Sequence, residues 1–313
     1  MAETNRTVRI GSRRSALAMW QAKWVKRCLE ELHQGLTVEI VGIVSTGDLD
    51  KESPLPAIGG KGLFTEELES GLVDGSLDLA VNSLKDLPVR LPSGLGVAAY
   101  PRRADPRDAF ISEVATCLED LDHGATVLTG SLRRRALVLR HRPDLRVEPL
   151  RGNVDTRLRK WRESGAAGLI LAAAGLDRLG LGEGNPAEDF PIHRLEPEQF
   201  VPAPGQGTLA LEAALGTEAY ELCAALDEAA SRVASEAERR VVEAFGADCT
   251  LPLAAWCREE DGELRLSVFL STPAGDRWAE DEVTGATAGE ASERAIDSLR
   301  RQGAVEILGA RSS

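Results

Sequence analysis

The residues best suited to binding or catalysis are arginines that are concentrated in one stretch of an acidic chain. Eight arginines lie between Leu128 and Arg157, and five of them belong to two short motifs, Leu128-Thr-Gly-Ser-Leu-Arg-Arg-Arg135 and Leu150-Arg-Gly-Asn-Val-Asp-Thr-Arg157. Positions 131–162 hold eleven Lys or Arg residues against three acids, whereas the whole 313-residue chain has a net charge of −13. Guanidinium groups form paired hydrogen bonds with carboxylates and phosphates. The stretch therefore predicts a site for an anion with several such groups.

Both motifs stand where a predicted strand passes into a predicted helix, at Thr129-Gly-Ser131 and at Arg151-Gly-Asn153. Helix N-termini present unpaired N–H groups to anions, and open α/β sheets bind ligands at the carboxyl ends of their strands. One run of arginines would favour a solvated helix face, but two runs at consecutive junctions favour a binding site. We expect four arginines to surround the anion: Arg133, Arg134, Arg151 and Arg157. The others are interpreted as surface charge: Arg135, Arg140, Arg142 and Arg146.

Two further side chains could take part in bond making. Asp86 follows a strand-like segment, and the neighbouring Lys85 favours its charged form. Such a pair alone is typical of a surface, but opposite an arginine-lined cleft the carboxylate could stabilise a developing cation and transfer a proton. Cys249 stands in a turn-rich segment and could be a point of covalent attachment. The residues alone favour a structural cysteine there.

Composition restricts the classes of function. With 43% hydrophobic and 28% charged residues, the chain is typical of a soluble globular protein. The sequence begins without the apolar stretch of a signal peptide and contains no run of about 18 apolar residues, so we expect a cytoplasmic enzyme with no membrane partner. A sequence pI of about 5.0 argues against nucleic acid as a partner. Five cysteines without C-x-x-C spacing predict neither a disulfide framework nor a zinc site.

Alternating strand and helix patterns predict two α/β domains followed by a small α+β domain. Ser15 is the predicted N-cap of a helix in the first βα unit. Breaks rich in Pro and Gly at positions 101–106 and 200–207 divide the chain, and the βαβ rhythm predicts mostly parallel sheets. Positions 218–245 predict one long helical stretch. The predicted domains are residues 1–101 with 202–217, residues 102–201, and residues 218–313.

Taken together, these segments resemble the porphobilinogen deaminase family over nearly the whole chain. The motifs that carry the resemblance are Arg9-Ile-Gly-Ser-Arg13-Arg-Ser15, Gly59-Gly-Lys61-Gly-Leu-Phe64, Asn82-Ser83-Leu-Lys85-Asp86-Leu-Pro88, the two arginine motifs, Leu171-Ala-Ala-Ala-Gly-Leu-Asp-Arg178, Pro204-Gly-Gln206-Gly207 and Cys249. The resemblance implies two domains like the halves of a periplasmic-type binding protein with the cleft between them. It implies a third domain that carries Cys249, and a monomer without a metal ion.

The resemblance also implies a covalent cofactor. This is a dipyrromethane, joined by a thioether to Cys249 and made by the enzyme from its own substrate, porphobilinogen. Four porphobilinogen molecules are added head to tail with loss of ammonia, and hydrolysis releases hydroxymethylbilane for porphyrin and haem biosynthesis. Asp86 would be the catalytic residue that stabilises the azafulvene cation formed by deamination. Each ring carries an acetate and a propionate arm, which fits an arginine-rich cleft.

The matched motifs imply a role for each residue. Contacts to the dipyrromethane are expected from Ser83, Lys85, Asp86, Thr129, Ser131, Arg133, Arg134, Gly152 and Asn153. Contacts to porphobilinogen and the growing chain are expected from Arg13, Ser15, Gln21, Lys61, Phe64, Arg151, Arg157, Arg178 and Gln206. Four positions depart from the family pattern: Asn82 stands where many relatives have His, Ala247-Asp248 replaces Gly-Gly, and Ala57 stands where many have Lys.

Two rival classes of function are weighed against this enzyme. The first is a non-catalytic anion-binding protein of the same two-lobed class, which would need neither Asp86 nor Cys249. The second is a nucleic-acid-binding protein that uses the arginine stretch. The acidic surroundings, and the lack of basic residues interleaved with aromatic ones, disfavour the second class.

Overall fold

The computed structural model describes residues 6–44, 65–181, 190–246 and 251–309. Contacts group the chain into two compact units, Met1–Ala104 with Thr208–Arg232, and Asp105–Gly207 with Val233–Ser313. Two five-stranded sheets are flanked by helices, and a three-stranded sheet lies near the C-terminus. The predicted α/β class with a small α+β part is therefore confirmed. The division into three domains with the bounds given above stays a prediction.

The described strands are β1 (Arg6–Arg13), β2 (Leu36–Ile43), β3 (Leu79–Ser83), β4 (Leu95–Ala99), β5 (Asp108–Ile111), β6 (Thr126–Leu128), β7 (Arg146–Glu148), β8 (Gly168–Ala172), β9 (Ile192–Arg194), β10 (Leu209–Ala214), β11 (Leu253–Glu260), β12 (Glu263–Ser271) and β13 (Trp278–Gly285). The described helices are α1 (Ala16–Leu32), α2 (Glu66–Val73), α3 (Leu132–His141), α4 (Val154–Ser164), α5 (Ala173–Arg178), α6 (Glu218–Leu222), α7 (Ala229–Ala244), α8 (Ala288–Arg301) and α9 (Ala304–Gly309). Short 3-10 turns cover Leu84–Asp86 and Cys223–Leu226.

The sheet of the first unit has the strand order β2-β1-β3-β10-β4. Strand β1 runs parallel to both β2 and β3, as the βαβ rhythm predicts. Strand β10 returns from far along the chain and runs antiparallel to β3 and β4, so the sheet is mixed. Ser15 caps α1 as predicted, because its Oγ accepts a hydrogen bond from the Ala18 N–H at 3.3 Å.

The second unit contains two sheets that share one apolar core. The order of the larger is β7-β6-β8-β5-β9, in which β6 is parallel to β7 and β8 while β5 is antiparallel to β8 and β9. The antiparallel meander β11-β12-β13 places Trp256 and Phe269 in the same buried cluster as Phe110 and Leu137. Its other side chains pack against α7, α8 and α9. The meander is thus covered on both faces.

The prediction of one long helix over 218–245 is wrong, because the helical conformation is interrupted at Asp227 and Glu228. Asp227 has extended backbone, and its carboxylate accepts the Tyr100 N–H at 2.8 Å and pairs with Arg232. Glu228 then accepts the Ser231 N–H at 2.6 Å, in the manner of an N-terminal cap. These carboxylates stabilise the end of one helical segment and the start of the next. The spacing of apolar residues, on which the prediction depended, does not reveal such contacts.

Candidate active site

In the first unit, predicted substrate and cofactor residues meet at the carboxyl end of the parallel strands. Arg13 is the last residue of β1, and Ser83 is the last residue of β3. Gln21, buried on the second turn of α1, donates from Nε2 to Ser83 Oγ at 3.0 Å. Ser15 lies between β1 and α1 as the cap of that helix. The fold therefore brings these four residues to one edge of the sheet, as open α/β sheets do with ligand-binding residues.

Asp86 lies in the 3-10 turn that follows β3 directly. The turn is held from both sides, since the Leu84 N–H donates to the Thr208 carbonyl at 3.0 Å and the Leu87 N–H donates to the Leu84 carbonyl at 3.1 Å. Leu84 is buried beneath the turn, Lys85 is half-buried and Asp86 is exposed. A carboxylate on a fixed backbone at a strand end is suited to proton transfer with a bound molecule.

The position that departs from the family pattern, Asn82, is buried within the same sheet. Its Nδ2 lies 3.4 Å from Oε2 of Glu212, a fully buried residue on the neighbouring strand β10. The Asn82 side chain is therefore occupied inside the sheet, one residue before Ser83.

In the second unit, the two arginine motifs stand at neighbouring strand-to-helix junctions, as predicted. Ser131 caps α3 by accepting the Arg134 N–H, and Asn153 caps α4 by accepting the Thr156 N–H at 3.1 Å. The junctions are tied together, because the Thr129 N–H donates to the Glu148 carbonyl and the Thr129 carbonyl accepts the Leu150 N–H. Two helix N-termini are thereby placed side by side, an arrangement that favours negatively charged ligands.

Three of the predicted substrate arginines belong to the second unit, and two of them, Arg151 and Arg157, stand in the second arginine motif. Arg157 donates from Nε to the Gly152 carbonyl at 2.6 Å. Arg178, at the end of α5, donates from Nη2 to the Gly207 carbonyl at 2.7 Å, and burial lowers the pKa of its guanidinium to about 10 although the charge of Asp177 opposes this. Arg151 is half-buried, and its Nη1 has no hydrogen-bond acceptor among the residues that the structure describes.

Arg133 and Arg134 lie inside the protein, where they share one acid that sequence reasoning missed. Arg133 Nη2 and Arg134 Nη2 each lie 2.8 Å from the carboxylate of Asp108, the first residue of β5, which has no exposed surface. Gln206 Nε2 donates to the same carboxylate at 2.9 Å. We call these four residues the Asp108 cluster. The available signal was an acid at the start of the apolar run Ala109–Ile111, because a buried charge requires partners.

Opposing effects set the charge of the Asp108 cluster. Burial favours the protonated form of Asp108, but Arg133 and Arg134 outweigh it and hold the pKa of that carboxyl below its ordinary value. Burial lowers the pKa of Arg133, and the charge of Asp108 opposes this change. With both guanidinium groups protonated and the carboxyl ionised, the cluster carries one net positive charge.

Three arginines of the predicted surface charge have structural partners instead. Arg140 pairs with Glu280 and lies over the rings of Phe269 and Trp278, so it joins α3 to the C-terminal meander. Arg142 forms a fork with Asp144 and donates to three backbone carbonyl groups. Such tertiary contacts cannot be read from the spacing of the arginines. Arg146 is exposed, as expected, whereas Arg135 is half-buried and donates to the Val147 carbonyl at 2.6 Å.

Some of the predicted residues lie outside the described residues. These are the substrate residues Lys61 and Phe64, the attachment residue Cys249, and the positions of family departure Ala57 and Ala247-Asp248. Of the cysteines that the structure describes, Cys223 and Cys257 are buried, and Cys28 and Cys117 are half-buried.

Comparison with known proteins decides the family. Residues 8–221 match the family model described as "Porphobilinogen deaminase, dipyromethane cofactor binding domain". The chain belongs to the porphobilinogen deaminase family. Porphobilinogen deaminases of Burkholderia mallei and Burkholderia pseudomallei are each 45% identical to it over 315 aligned residues, which cover 99% of this chain and 94% of theirs. The enzyme of Burkholderia thailandensis is equally similar.

Two solved structures share a weaker likeness with this member of the porphobilinogen deaminase family. The VFT2 domain of BvgS from Bordetella pertussis aligns with a TM-score of 0.40 and 17% identity, covering 70% of this chain and 86% of that one. The methionine binding protein MetQ aligns with a TM-score of 0.44 and 14% identity, covering 70% and 89%. Likenesses of this size carry no conclusion about function.

The residues present fit the dipyrromethane that the matched domain of the porphobilinogen deaminase family binds. The Asp108 cluster has a net positive charge, and the Arg133 Nε is buried without a hydrogen-bond acceptor among the described residues. Both features suit a carboxylate arm. Within the described ranges, no group of three His, Cys, Asp or Glu residues is arranged to hold a metal ion. Across the same ranges, none of the helices has the length and apolarity to span a membrane.

Proposed function

We propose that this enzyme condenses four porphobilinogen molecules head to tail, with release of ammonia, and hydrolyses the product to hydroxymethylbilane for tetrapyrrole biosynthesis. The observation that carries the proposal is the extent of the family match. Residues 8–221 contain both arginine junctions and the Asp86 turn, and 45% identity extends over 99% of the chain. A match of this extent supports the same reaction for this chain.

The cofactor would be held by residues that the matched motifs supply. Those assigned to it are Ser83, Lys85, Asp86, Thr129, Ser131, Arg133, Arg134, Gly152 and Asn153, with the thioether at Cys249. When bound, the dipyrromethane supplies the free ring carbon to which the first porphobilinogen is joined. The positive Asp108 cluster and the two adjacent helix N-termini support this assignment, since each pyrrole ring carries two carboxylate arms.

Asp86 is proposed as the catalytic residue. Deamination breaks the bond between the aminomethyl carbon of porphobilinogen and its nitrogen, which leaves as ammonia and creates a cationic azafulvene. A new carbon–carbon bond then forms, and the attacked ring carbon releases a proton. A carboxylate can stabilise the cation and accept that proton. The fixed 3-10 turn and the exposed position of Asp86 support both tasks.

Porphobilinogen and the growing chain would contact a second set of residues: Arg13, Ser15, Gln21, Lys61, Phe64, Arg151, Arg157, Arg178 and Gln206. Support comes from the half-buried Arg151, whose Nη1 has no acceptor in the described part of the chain, and from Arg178, which stays cationic at neutral pH. The Ser15 Oγ accepts the Ala18 N–H at the start of α1, and a serine hydroxyl that accepts a hydrogen bond can also donate one to a carboxylate.

A cytoplasmic monomer of three domains is the proposed working state. The domains are residues 1–101 with 202–217, residues 102–201, and residues 218–313. Light scattering after size-exclusion chromatography tests the monomer, and limited proteolysis tests the domain bounds.

The reaction is tested by incubating the purified chain with porphobilinogen and measuring both products. We expect ammonia and hydroxymethylbilane in a ratio of four to one, the second measured as the porphyrin that forms from it after oxidation. The rival function, an anion-binding protein without catalysis, predicts that porphobilinogen is bound but not consumed. Unconsumed porphobilinogen would therefore contradict the proposal.

A further inference from the structure

The Asp108 carboxylate is the common partner of both arginines at the first junction. Asp108 has no exposed surface, and Arg133 and Arg134 are almost as buried. Oδ2 lies 2.8 Å from Arg133 Nη2, while Oδ1 lies 2.8 Å from Arg134 Nη2 and accepts from Arg134 Nε at 2.9 Å. One acid therefore fixes two side chains that have many rotamers of their own.

The two guanidinium groups differ in how many of their nitrogens have an acceptor among the described residues. Arg134 uses all three nitrogens inside the protein, because Nη1 donates to the Ile170 carbonyl and Nη2 also reaches Gln206 Oε1. Arg133 uses Nη2 for Asp108 and Nη1 for the Val201 carbonyl at 2.7 Å. Its Nε is buried, and it has no acceptor among the described residues. A buried N–H without an acceptor is costly, so this edge is suited to an incoming acceptor.

Charge leads to the same site. One carboxylate between two guanidinium groups leaves a net charge of +1, which one further carboxylate would neutralise. Gln206 strengthens the arrangement, because its amide donates to Asp108 and to the Pro106 carbonyl while accepting from Arg134. The cluster is thus rigid before any ligand arrives, and rigid donors lose less freedom on binding than mobile ones.

We propose that Asp108 is a positioning residue, which holds Arg133 and Arg134 so that the free edge of Arg133 receives one carboxylate arm of the dipyrromethane. The inference rests on the proposed function, since it assigns a residue to cofactor loading. Loading joins two porphobilinogen units to a cysteine thiol. One S–C bond and one C–C bond form, two C–N bonds break, and two ammonia molecules leave. The thiol hydrogen and one ring hydrogen balance the two departing amines.

The test uses Asp108→Asn, which keeps the shape of the side chain and removes its charge. The full chain is produced in a host that makes no porphobilinogen and then incubated with porphobilinogen, and intact mass is followed with time. Asp144→Asn is the matched control, because Asp144 also forms a fork with an arginine of the same unit but contacts none of the assigned binding residues. Circular dichroism and thermal melting report the folded fraction of each variant.

We expect folded Asp108→Asn to load at least about tenfold more slowly than wild type, because a charge-assisted contact is weakened. Folded Asp144→Asn should load at the wild-type rate. Loading of folded Asp108→Asn at the wild-type rate, or equal slowing in both variants, would overturn the inference.

A second variant keeps the test decisive where Asp108→Asn does not fold. Gln206→Met preserves the length of the side chain and removes the amide that joins Asp108 to Arg134. It should also slow loading, and loading at the wild-type rate would overturn the inference. Failure of the wild type itself to acquire two pyrrole units would instead contradict the proposed function. Normal loading in wild type and variants together would remove only the role of Asp108.

Discussion

The Glu238 carboxylate accepts a hydrogen bond from the backbone N–H of Gly205 at 2.6 Å. Its other oxygen accepts the N–H of Cys257, on β11, at 2.8 Å. Glu238 has no exposed surface, and it lies on α7. One buried acid therefore fastens the Pro/Gly segment before Gln206 to the C-terminal meander, and with it one side of the Asp108 cluster.

Replacement of Glu238 by Gln should cost about 2–4 kcal/mol of unfolding free energy, because one buried N–H would face an amide that cannot accept from it. Urea unfolding of the wild type and the variant measures the difference. Glu236→Gln is the control, since Glu236 lies on the same helix but is exposed, and such changes usually stay within about 0.5 kcal/mol. Equal stability of Glu238→Gln and wild type would show that the two hydrogen bonds of Glu238 do not stabilise the fold.

Gly130 is required for the two arginine junctions to lie side by side. A Cβ at this position would stand 2.6 Å from the Leu150 carbonyl oxygen. Gly130→Ala should therefore push the junctions apart, with a loss of about 1–3 kcal/mol in stability and slower loading of the cofactor. Thermal melting and intact mass measure the two effects. Gly289→Ala, whose Cβ would meet nothing closer than 3.8 Å, should leave both unchanged, and an equally benign Gly130→Ala would contradict the close approach.

Asp86→Asn should separate binding from catalysis. The amide keeps the shape of the carboxylate but can neither stabilise a cation by charge nor accept a proton, so kcat should fall by about 10²–10⁴. Intact mass should still show the cofactor, because the arginine contacts are unaltered. Asp122→Asn, at an exposed acid outside the assigned site, should retain wild-type turnover. Near-normal kcat in Asp86→Asn would remove Asp86 from the catalytic role.

Glu282 should make part of the stability depend on acid pH. Burial favours its protonated form, but hydrogen bonds from Arg265, Ser267 and Arg258 prevail and lower the pKa of Glu282 from 4.5 to about 2. A lowered carboxyl pKa stabilises the fold above the unfolded value, and this contribution disappears as pH falls through the folded value. Because the side chain is 36% exposed, screening limits the contribution to about 1 kcal/mol.

The comparison of wild type with Glu282→Gln by urea unfolding tests this window. The wild type should be more stable at pH 7 and pH 5, and the difference should shrink from about pH 4.5 towards pH 2. Glu293→Gln, at an exposed acid of α8, supplies the control. A difference that stays constant over this range would show that Glu282 is not held ionised by its partners.

Local features of the sequence predicted the site better than its long-range partners. Ser15, Ser131 and Asn153 start helices because an oxygen on a short side chain can accept an N–H two or three residues onward, and that signal is local. The parallel strands β1, β2 and β3 follow from the same local alternation of strand and helix.

What the sequence did not predict depends on residues that are distant in the chain. Asp108 finds its partners 26 and 98 residues away, so no motif contains the Asp108 cluster. The helix break at Asp227 depends on the backbone of Tyr100, and the antiparallel direction of β10 depends on a return from the second unit's part of the chain. Such contacts are decided by tertiary packing rather than by spacing.

Intact-mass measurement on the chain from a porphobilinogen-competent host tests the central claim most directly. The wild type should exceed the mass of the polypeptide by two porphobilinogen units less two ammonia molecules. Cys249→Ala should have the polypeptide mass alone, whereas Cys117→Ala, at a half-buried cysteine outside the assigned site, should keep the addition. An unmodified wild-type chain, or an addition that persists in Cys249→Ala, would contradict the assignment of this chain as an enzyme that builds tetrapyrroles on a cysteine-linked dipyrromethane.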